Sequence, residues 1–415
     1  MNRCLPSNRL LSINNYFYRR GGAEVVFLEQ NRLFAEIGWD VIPFAMRHPL
    51  NLSSPWSDYF IDEIEFGHDY SLAEKLTMAH KVVFSLEARR KIVALSQRVQ
   101  PHIAHAHNVY HHISPSIFGA LREQGIPTLL TLHDLKLACP AYKMLTHDGI
   151  CERCKGGKVW NVLTNRCVKG SSTVSAVVFA ESVLHRLLGT YTRNVDRFIV
   201  PSRFFLEKFV EWGYPRERFV HIPNFVDAGA LKPQGVPGSA FTFVGRLSAD
   251  KGLATFVRAA AQARVPARIV GTGPEEQPLR ALAHALQADV TFMGYLSGKA
   301  LFDAIRQSRA VVLPSELYEN APMSIMESYA LERPVVGSAI GGIPELVRSG
   351  ETGELFEAGN VDALAAVLRR LAASSSSRIA AMGKNGRAWM MEDFSDLRYR
   401  ERLLALYANV GVPWG

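Results

Sequence analysis

Two carboxylates bracket one turn of this chain. Glu319 and Glu327 lie in LPSELYENAPMSIME, residues 313–327, with seven residues between them. Ala310–Leu313 reads as the apolar end of a strand. Pro322 reads as the first residue of a helix, where a missing N–H costs nothing. Free N–H groups at a helix start attract anions. Glu319, just before them, repels phosphate and suits sugar hydroxyls. The stretch is therefore expected to hold a ligand that is both phosphorylated and rich in hydroxyls.

A second set of groups complements it. Arg246 and Lys251 flank the turn Gly245-Arg-Leu-Ser-Ala-Asp-Lys-Gly252 after a strand and before a helix, the arrangement for clamping a diphosphate. Gly271-Thr-Gly273 follows the next strand and allows close backbone approach by a nucleotide. Alone, such a pair marks only an ordinary βα turn. His133 and Asp134 end a strand and face the same cleft. His105 and His107, in AHAHN, end another and are candidates to line an acceptor pocket, although buried core histidines are the commoner case. His111-His112 reads as surface or a helix start.

Four of the five cysteines fall in one segment, Cys139, Cys151, Cys154 and Cys167, while Cys4 stands alone. A Cys-x-x-Cys with two outlying cysteines has the spacing of a four-thiolate zinc site. The segment carries little apolar content, so a structural Zn would give it a reason to fold. An iron–sulfur cluster and free or redox-active thiols are the alternatives. Its basic residues, among them Lys143, Arg153 and Lys158, are placed to draw an anionic acceptor toward the cleft.

These groups need a scaffold that brings strand ends together. Strands are expected at Arg9–Ile13, Asp40–Phe44, His102–His105, Thr128–Leu132, Phe198–Val200 and Phe219–Ile222, alternating with helices. After a Gly- and Pro-rich break at Asn224–Ser239 the pattern restarts at Phe241–Val244 and runs to Glu354–Phe356. Such alternation implies an α/β fold with parallel, doubly wound sheets. At 415 residues the chain suits two domains of roughly 200 residues. The expected division is 1–225, with the cysteine insertion at about 135–170, then 226–395. A final helix within 396–415 would cross back to the first domain. Ligands bind beyond the carboxyl ends of such strands, so two facing domains form a cleft.

Composition narrows the class further. Hydrophobic residues make up 48% and charged residues 21%, as in a globular protein. No apolar run reaches the roughly 18–20 residues of a spanning helix. Asn14-Asn15 and Arg19-Arg20 interrupt any secretory h-region, so a cytoplasmic location is expected. The net charge of +8 suits anionic partners, nucleotide phosphates or an anionic membrane leaflet. A long basic amphipathic helix from Leu72 to Val99 is a candidate for peripheral membrane contact, with packing inside the first domain as the alternative. Aromatic and basic residues are not interleaved as nucleic-acid stacking requires.

The runs GRLSADKG, VGTGPE, FMGYLSG and LPSELYENAPMSIMESYALERPVVGSAIGGIPELV occur in this order. Together with Gly21-Gly22-Ala23-Glu24, Thr131-Leu-His-Asp134, Val200-Pro-Ser202 and Ile222-Pro-Asn224, they resemble the retaining glycosyltransferases of family 4, which have the GT-B fold of two facing Rossmann-like domains. The resemblance covers nearly the whole chain, although the minimal family pattern does not require the cysteine segment. It implies a nucleotide-diphosphate sugar donor and a glycan or lipid-linked acceptor. Arg246 and Lys251 would neutralise the diphosphate without a catalytic metal, and no Asp-x-Asp occurs. Glu319 would bond donor-sugar hydroxyls, with the amides of Asn320, Ala321, Pro322 and Met323 as the neighbouring stretch (Pro322 lacks an N–H). Glu327 would accept from the ribose diol. Gly245, Gly271 and Gly273 would border the nucleotide, Gly21 and Gly22 would admit the phosphates, and His133 would contact the donor sugar. A nucleotide-sugar 2-epimerase on the same scaffold is the alternative activity.

Overall fold

The computed structural model describes residues 8–63, 80–227, 229 and 231–412. Cys4 and the first part of the expected basic helix, Leu72–Ala79, lie outside them. Twelve strands build two six-stranded sheets, each wholly parallel. The first contains β1 (Arg9–Ile13), β2 (Asp40–Phe44), β3 (Ile103–Ala106), β4 (Thr128–Thr131), β5 (Arg197–Val200) and β6 (Phe219–His221) in the order β2-β1-β3-β4-β5-β6. The second contains β7 (Phe241–Val244), β8 (Ala267–Val270), β9 (Val290–Gly294), β10 (Ala310–Leu313), β11 (Val335–Ser338) and β12 (Gly353–Phe356) in the order β9-β8-β7-β10-β11-β12. Helices cover both faces, so the strands are apolar almost throughout. Each order reverses beside its first strand, and there the chain opens a crevice.

The helices that matter to the site follow from local signals. Helix α1 (Gly22–Glu36) starts after Gly21 in extended backbone. Helix α2 (Leu86–Val99) is capped by Ser85, which accepts from the Ala88 amide. The single expected helix to Val99 is thus interrupted at Phe84-Ser85. It buries Ala88, Ile92 and Leu95 against α3 (Ser116–Glu123), and two of its cations are paired, Arg89 with Glu123 and Lys91 with Glu87 at 3.2 Å. Packing accounts for its buried face. Helix α4 (Ser172–Leu187) follows the cysteine segment, and α5 (Arg203–Glu211) is capped by Ser202.

In the second half, α6 (Leu253–Ala263), α7 (Glu276–Ala285) and α8 (Gly298–Arg306) follow the first three strands. Helix α9 (Met323–Ala330) follows Pro322, which is its extended cap rather than its first helical residue. Helices α10 (Val361–Ala373) and α11 (Ser376–Asp393) close the domain. The last helix, α12 (Asp396–Asn409), packs on the first sheet: Tyr399, Leu403 and Tyr407 join Leu10, Val26 and Phe34 in one core. The chain crosses between the sheets twice, and the crossings lie side by side, with Val226 bridged to Ser395.

The cysteine segment is anchored by apolar contacts, contrary to expectation. Met144 and Val162 are buried, and Met144 and Cys154 join the first domain's core. A short hairpin pairs Leu145–Thr146 with Gly149–Ile150.

Candidate functional site

A cavity of about 290 Å³ lies between the two sheets at the carboxyl ends of their strands. From the first half it is lined by Gly22, His133, Asp134 and Phe205, and from the second by Arg246, Lys251, Glu319 and the run Asn320–Met323. The groups separated most widely in the sequence therefore meet. The reason is topological: each sits on the first turn after a parallel strand, and all those turns emerge on one side of their sheet.

The turn after β7 carries the cations. It is locked to its neighbours, because the Leu247 amide donates to the Thr272 carbonyl (2.9 Å) and the Glu316 amide to the Asp250 carbonyl (3.0 Å). Arg246 is exposed and makes no ion pair among the described residues. Lys251 is engaged: its Nζ lies 2.6 Å from Glu319 Oε1, which also accepts from Ser315 Oγ at 2.6 Å. Glu319 and Lys251, on the turns after β10 and β7, are thus an ion pair. A charge-assisted pair of this kind fixes both side chains in direction.

The Glu319 loop is held from both domains. Asn320 donates from Nδ2 to the Leu132 carbonyl (3.0 Å) and its Oδ1 accepts from Ser202 Oγ (2.8 Å). Asn224 donates to the Ala321 carbonyl (3.0 Å). Gly342 donates its amide to the Glu319 carbonyl (2.7 Å), and a Cβ there would come within 1.9 Å of the Asn320 carbonyl oxygen. Sequence reasoning did not single out Gly341-Gly342, although a Gly pair directly after β11 was the available signal.

His133 lines the cavity from the first domain. Its Nε2 is 2.9 Å from His107 Nδ1, and the two rings stack at 5.2 Å. Burial lowers His133 to about 4, so the ring is neutral at pH 7. Burial raises Asp134 to about 6, opposed by the Lys136 amide that donates to it at 2.9 Å. His105 and His107 are 0% exposed and line no part of the cavity. Their expected role at an acceptor pocket is corrected: His105 is held by Thr131 Oγ1 and Tyr407 Oη, both at 2.7 Å, and His107 stacks between His105 and His133. The histidine column connects α12 to the cleft. His111 and His112 are half-buried, not surface residues, and burial lowers each to about 4.

Gly271 and Gly273 also stand outside the cavity. A Cβ on Gly271 would meet the Gly245 carbonyl oxygen at 1.8 Å, and one on Gly273 the Leu247 carbonyl oxygen at 2.2 Å. These glycines let two βα turns pack together, so the close approach they permit is by protein backbone. Gly21 and Gly245 do not line the cavity either. Glu327 lies one helical turn beyond Met323 and has no side-chain hydrogen bond among the described residues. Burial pushes its carboxyl up to about 7, with Arg19 opposing.

The insertion contributes Tyr142, which the sequence did not mark, and Lys143, one of the basic residues expected near the cleft. Tyr142 and Lys143 line the cavity, and Lys143 Nζ reaches Asp250 Oδ2 across the cleft at 3.1 Å. Tyr318 donates to Glu152 at 3.3 Å. The cysteines are free thiols. Among the described residues no group of three or more His, Cys, Asp or Glu is placed to hold a metal ion, so the expectation of zinc finds no support here. Burial, then the neighbouring thiols, push Cys154 up to about 12.

No helix among the described residues is long and apolar enough to cross a membrane. The chain is 28% identical over 177 residues to alpha-D-kanosaminyltransferase of Streptomyces kanamyceticus, a match over 41% of this chain and 45% of that protein. It therefore spans about half the length of that curated relative. Its fold is similar to that of sucrose-phosphate synthase from Thermosynechococcus elongatus, with a TM-score of 0.71 at 19% identity over 97% of this chain and 99% of the other. It is also similar to Anabaena HepE in complex with UDP, with a TM-score of 0.66 at 17% identity over 97% and 100%. Residues 20–229 match the model of glycosyltransferase family 4 and residues 238–374 that of the glycosyl transferases group 1. With both halves matched and the GT-B architecture of two facing Rossmann-like domains, this chain belongs to glycosyltransferase family 4.

Proposed function

We propose that this chain moves a sugar from a nucleotide-diphosphate sugar to a hydroxyl of a glycan or lipid-linked acceptor, with retention of anomeric configuration. One arrangement carries the proposal. Unpaired Arg246 and the Lys251–Glu319 pair share a cavity of about 290 Å³ with the neutral ring of His133 from the other domain. Arg246 and Lys251 take the diphosphate and stabilise charge as it leaves, and Lys251 divides its hydrogen bonds between phosphate and Glu319. Glu319 accepts from sugar hydroxyls, and the amides of Asn320, Ala321 and Met323 lie along the sugar and phosphate. The ribose diol is read by Glu327, and the base lies toward Gly245, Gly271 and Gly273. Gly21 and Gly22 admit the phosphates on the facing side. The UDP bound by the similar HepE fold supports a nucleotide donor.

In this scheme the C1–O bond to phosphate breaks and a bond from the acceptor oxygen to C1 forms on the same face. The acceptor proton passes to the departing phosphate oxygen. The state of the cavity's carboxylates favours that path over a covalent intermediate. Asp250 is paired with Lys143, Glu319 with Lys251 and Ser315, and Asp134 is held by the Lys136 amide with its affinity for a proton raised. None stands free to attack C1. A structural zinc on Cys139, Cys151, Cys154 and Cys167 has no part in it.

The test is hydrolysis of UDP-, GDP- and ADP-sugars, then transfer to acceptors, with anomeric configuration read by proton NMR. Arg246→Ala is expected to lower turnover by about 10²-fold or more. Near-normal turnover in the folded variant would overturn the proposal. The net charge of +8 suits an acceptor presented at an anionic, cytoplasmic leaflet. Sedimentation with anionic vesicles tests that part.

A further inference from the structure

Helix α4 is turned inside out. A helix on the surface of a globular protein faces its apolar side inward. The residues that α4 buries are Ser175, Val178, Glu181 and His185, three of them polar. Each polar one is satisfied within the domain. Ser175 Oγ accepts from the Val168 amide at 3.2 Å, and Glu181 Oε2 pairs with Lys136 Nζ at 2.6 Å. His185 uses Nδ1 on Thr190 Oγ1 (2.9 Å) and Nε2 on the Val83 carbonyl (2.7 Å). The outward stripe is apolar. Ala176, Ala180 and Leu187 are exposed and Leu184 half-buried, all at helical spacing, with Leu188 just beyond. Leu187 is 75% exposed and Leu188 47%. Trp160, 52% exposed, precedes the short helix Asn161–Thr164 that lies along α4.

The chain around this stripe is cationic. Residues 153–193 hold seven Lys and Arg and a single carboxylate, the buried Glu181, and so carry six of the eight net positive charges of the whole chain. Arg153 and Lys155 pair with Asp148 and Glu211. Lys158, Arg166, Lys169, Arg186 and Arg193 are exposed and make no ion pair among the described residues. They flank the helix: Lys169 lies just before its first turn and Arg186 in its last, where the Arg186 guanidinium lies against Gly157, the neighbour of Lys158.

An exposed apolar stripe flanked by unpaired cations matches one surroundings, the boundary between acyl chains and acidic headgroups. A second copy of this chain would set the same cations against themselves across a two-fold contact. Nucleic acid would use the cations but leave the aliphatic stripe in water, with only Trp160 to stack on a base. We propose that α4 and the segment before it dock this chain on an anionic lipid bilayer, with the stripe in the acyl boundary and the cations at the headgroup phosphates. The proposal rests on the leaflet reading above and gives it a face, one distinct from the basic helix α2. The same insertion supplies Tyr142 and Lys143 to the cleft, so the docking segment and the cleft belong to one domain.

The test sediments the full chain with vesicles of phosphatidylcholine, alone and mixed with phosphatidylglycerol, at low and high salt. Binding to the mixed vesicles is expected, and it should fall as salt rises. Leu187→Ser with Leu188→Ser is expected to weaken that binding roughly tenfold, and Lys169→Gln roughly fivefold. These side chains are exposed and line no part of the cleft, so Tm and donor hydrolysis should match those of the unaltered protein. No binding to the mixed vesicles would overturn the docking face, as would a dimer in its place that the leucine variant dissolves. Binding unchanged in both variants would overturn the face while leaving the leaflet reading standing. Donor hydrolysis by the unaltered protein is scored separately, and its absence would count against the transfer reaction while leaving vesicle binding intact.

Discussion

Glu327→Gln separates a ligand-reading carboxylate from a structural one. Burial raises Glu327 from 4.5 to about 7. At 1.36 kcal/mol per pH unit, the ionised side chain costs the folded protein at most about 3 kcal/mol. The residue is only half-buried, and solvent at its rim reduces this to about 1–2 kcal/mol. The sign follows from linkage. The folded state binds the proton more tightly, so the contribution to stability is full below pH 4.5 and is lost as pH rises through 7. Gln keeps the shape and removes the charge. At pH 5 the two proteins should melt alike, whereas at pH 8 the variant should melt higher by about 2–6 °C. Donor binding should move the opposite way. Losing a charge-assisted bond to a ribose hydroxyl costs about 1.5–3 kcal/mol, or roughly 10- to 100-fold in Kd. Scanning fluorimetry from pH 5 to 8 and calorimetry with the nucleotide diphosphate selected by the hydrolysis screen read both effects. A variant less stable at pH 8, or one with unchanged nucleotide affinity, would refute the reasoning.

Other perturbations probe the surrounding supports. Gly342→Ala places a Cβ 1.9 Å from the Asn320 carbonyl oxygen, so the Glu319 loop must shift. Overpacking of about 1–3 kcal/mol should lower Tm and raise the donor KM, read by fluorimetry and steady-state kinetics. Lys143→Met breaks the 3.1 Å bridge to Asp250 across the cleft. The expected result is a donor KM raised a few-fold and less dependent on salt, and unchanged kinetics would deny the bridge a role. Glu181→Gln leaves the Lys136 charge buried without its partner, at a cost of about 3–5 kcal/mol in urea unfolding. Burial would raise Glu181, but Lys136 and His111 hold it below the ordinary carboxylate range. The native protein should therefore lose stability as pH falls through that lowered value, and the variant should lose less.

The scaffold was legible because its signals are local. Runs such as Phe241–Val244 and Ala310–Leu313 are apolar along their whole length, as strands buried on both faces must be, and glycines and prolines punctuate them. The nine strands whose bounds were expected each lie within one residue of expectation. The helix to Val99 was drawn too long because hydrophobic periodicity continues through Ser85, whose side chain starts a new helix by capping it. Pro322 was one residue off for a related reason: the cap and the first turn look alike in sequence.

The chain by itself determined which chemistry is present: Arg246 and Lys251 on one strand-end turn, Glu319 on another and His133 on a third. Parallel topology then leaves those turns little choice but to share an edge. Only the tertiary structure decided how they are committed. Lys251 is paired with Glu319 over 68 positions, and Lys143 reaches Asp250 over 107. His105 and His107 are sealed beneath α12, and Gly271 serves the packing of two turns. Residue types and spacing report what a segment can do. Burial, ion pairing and proton affinity depend on which distant segments come to lie against it, and that is a property of the folded chain.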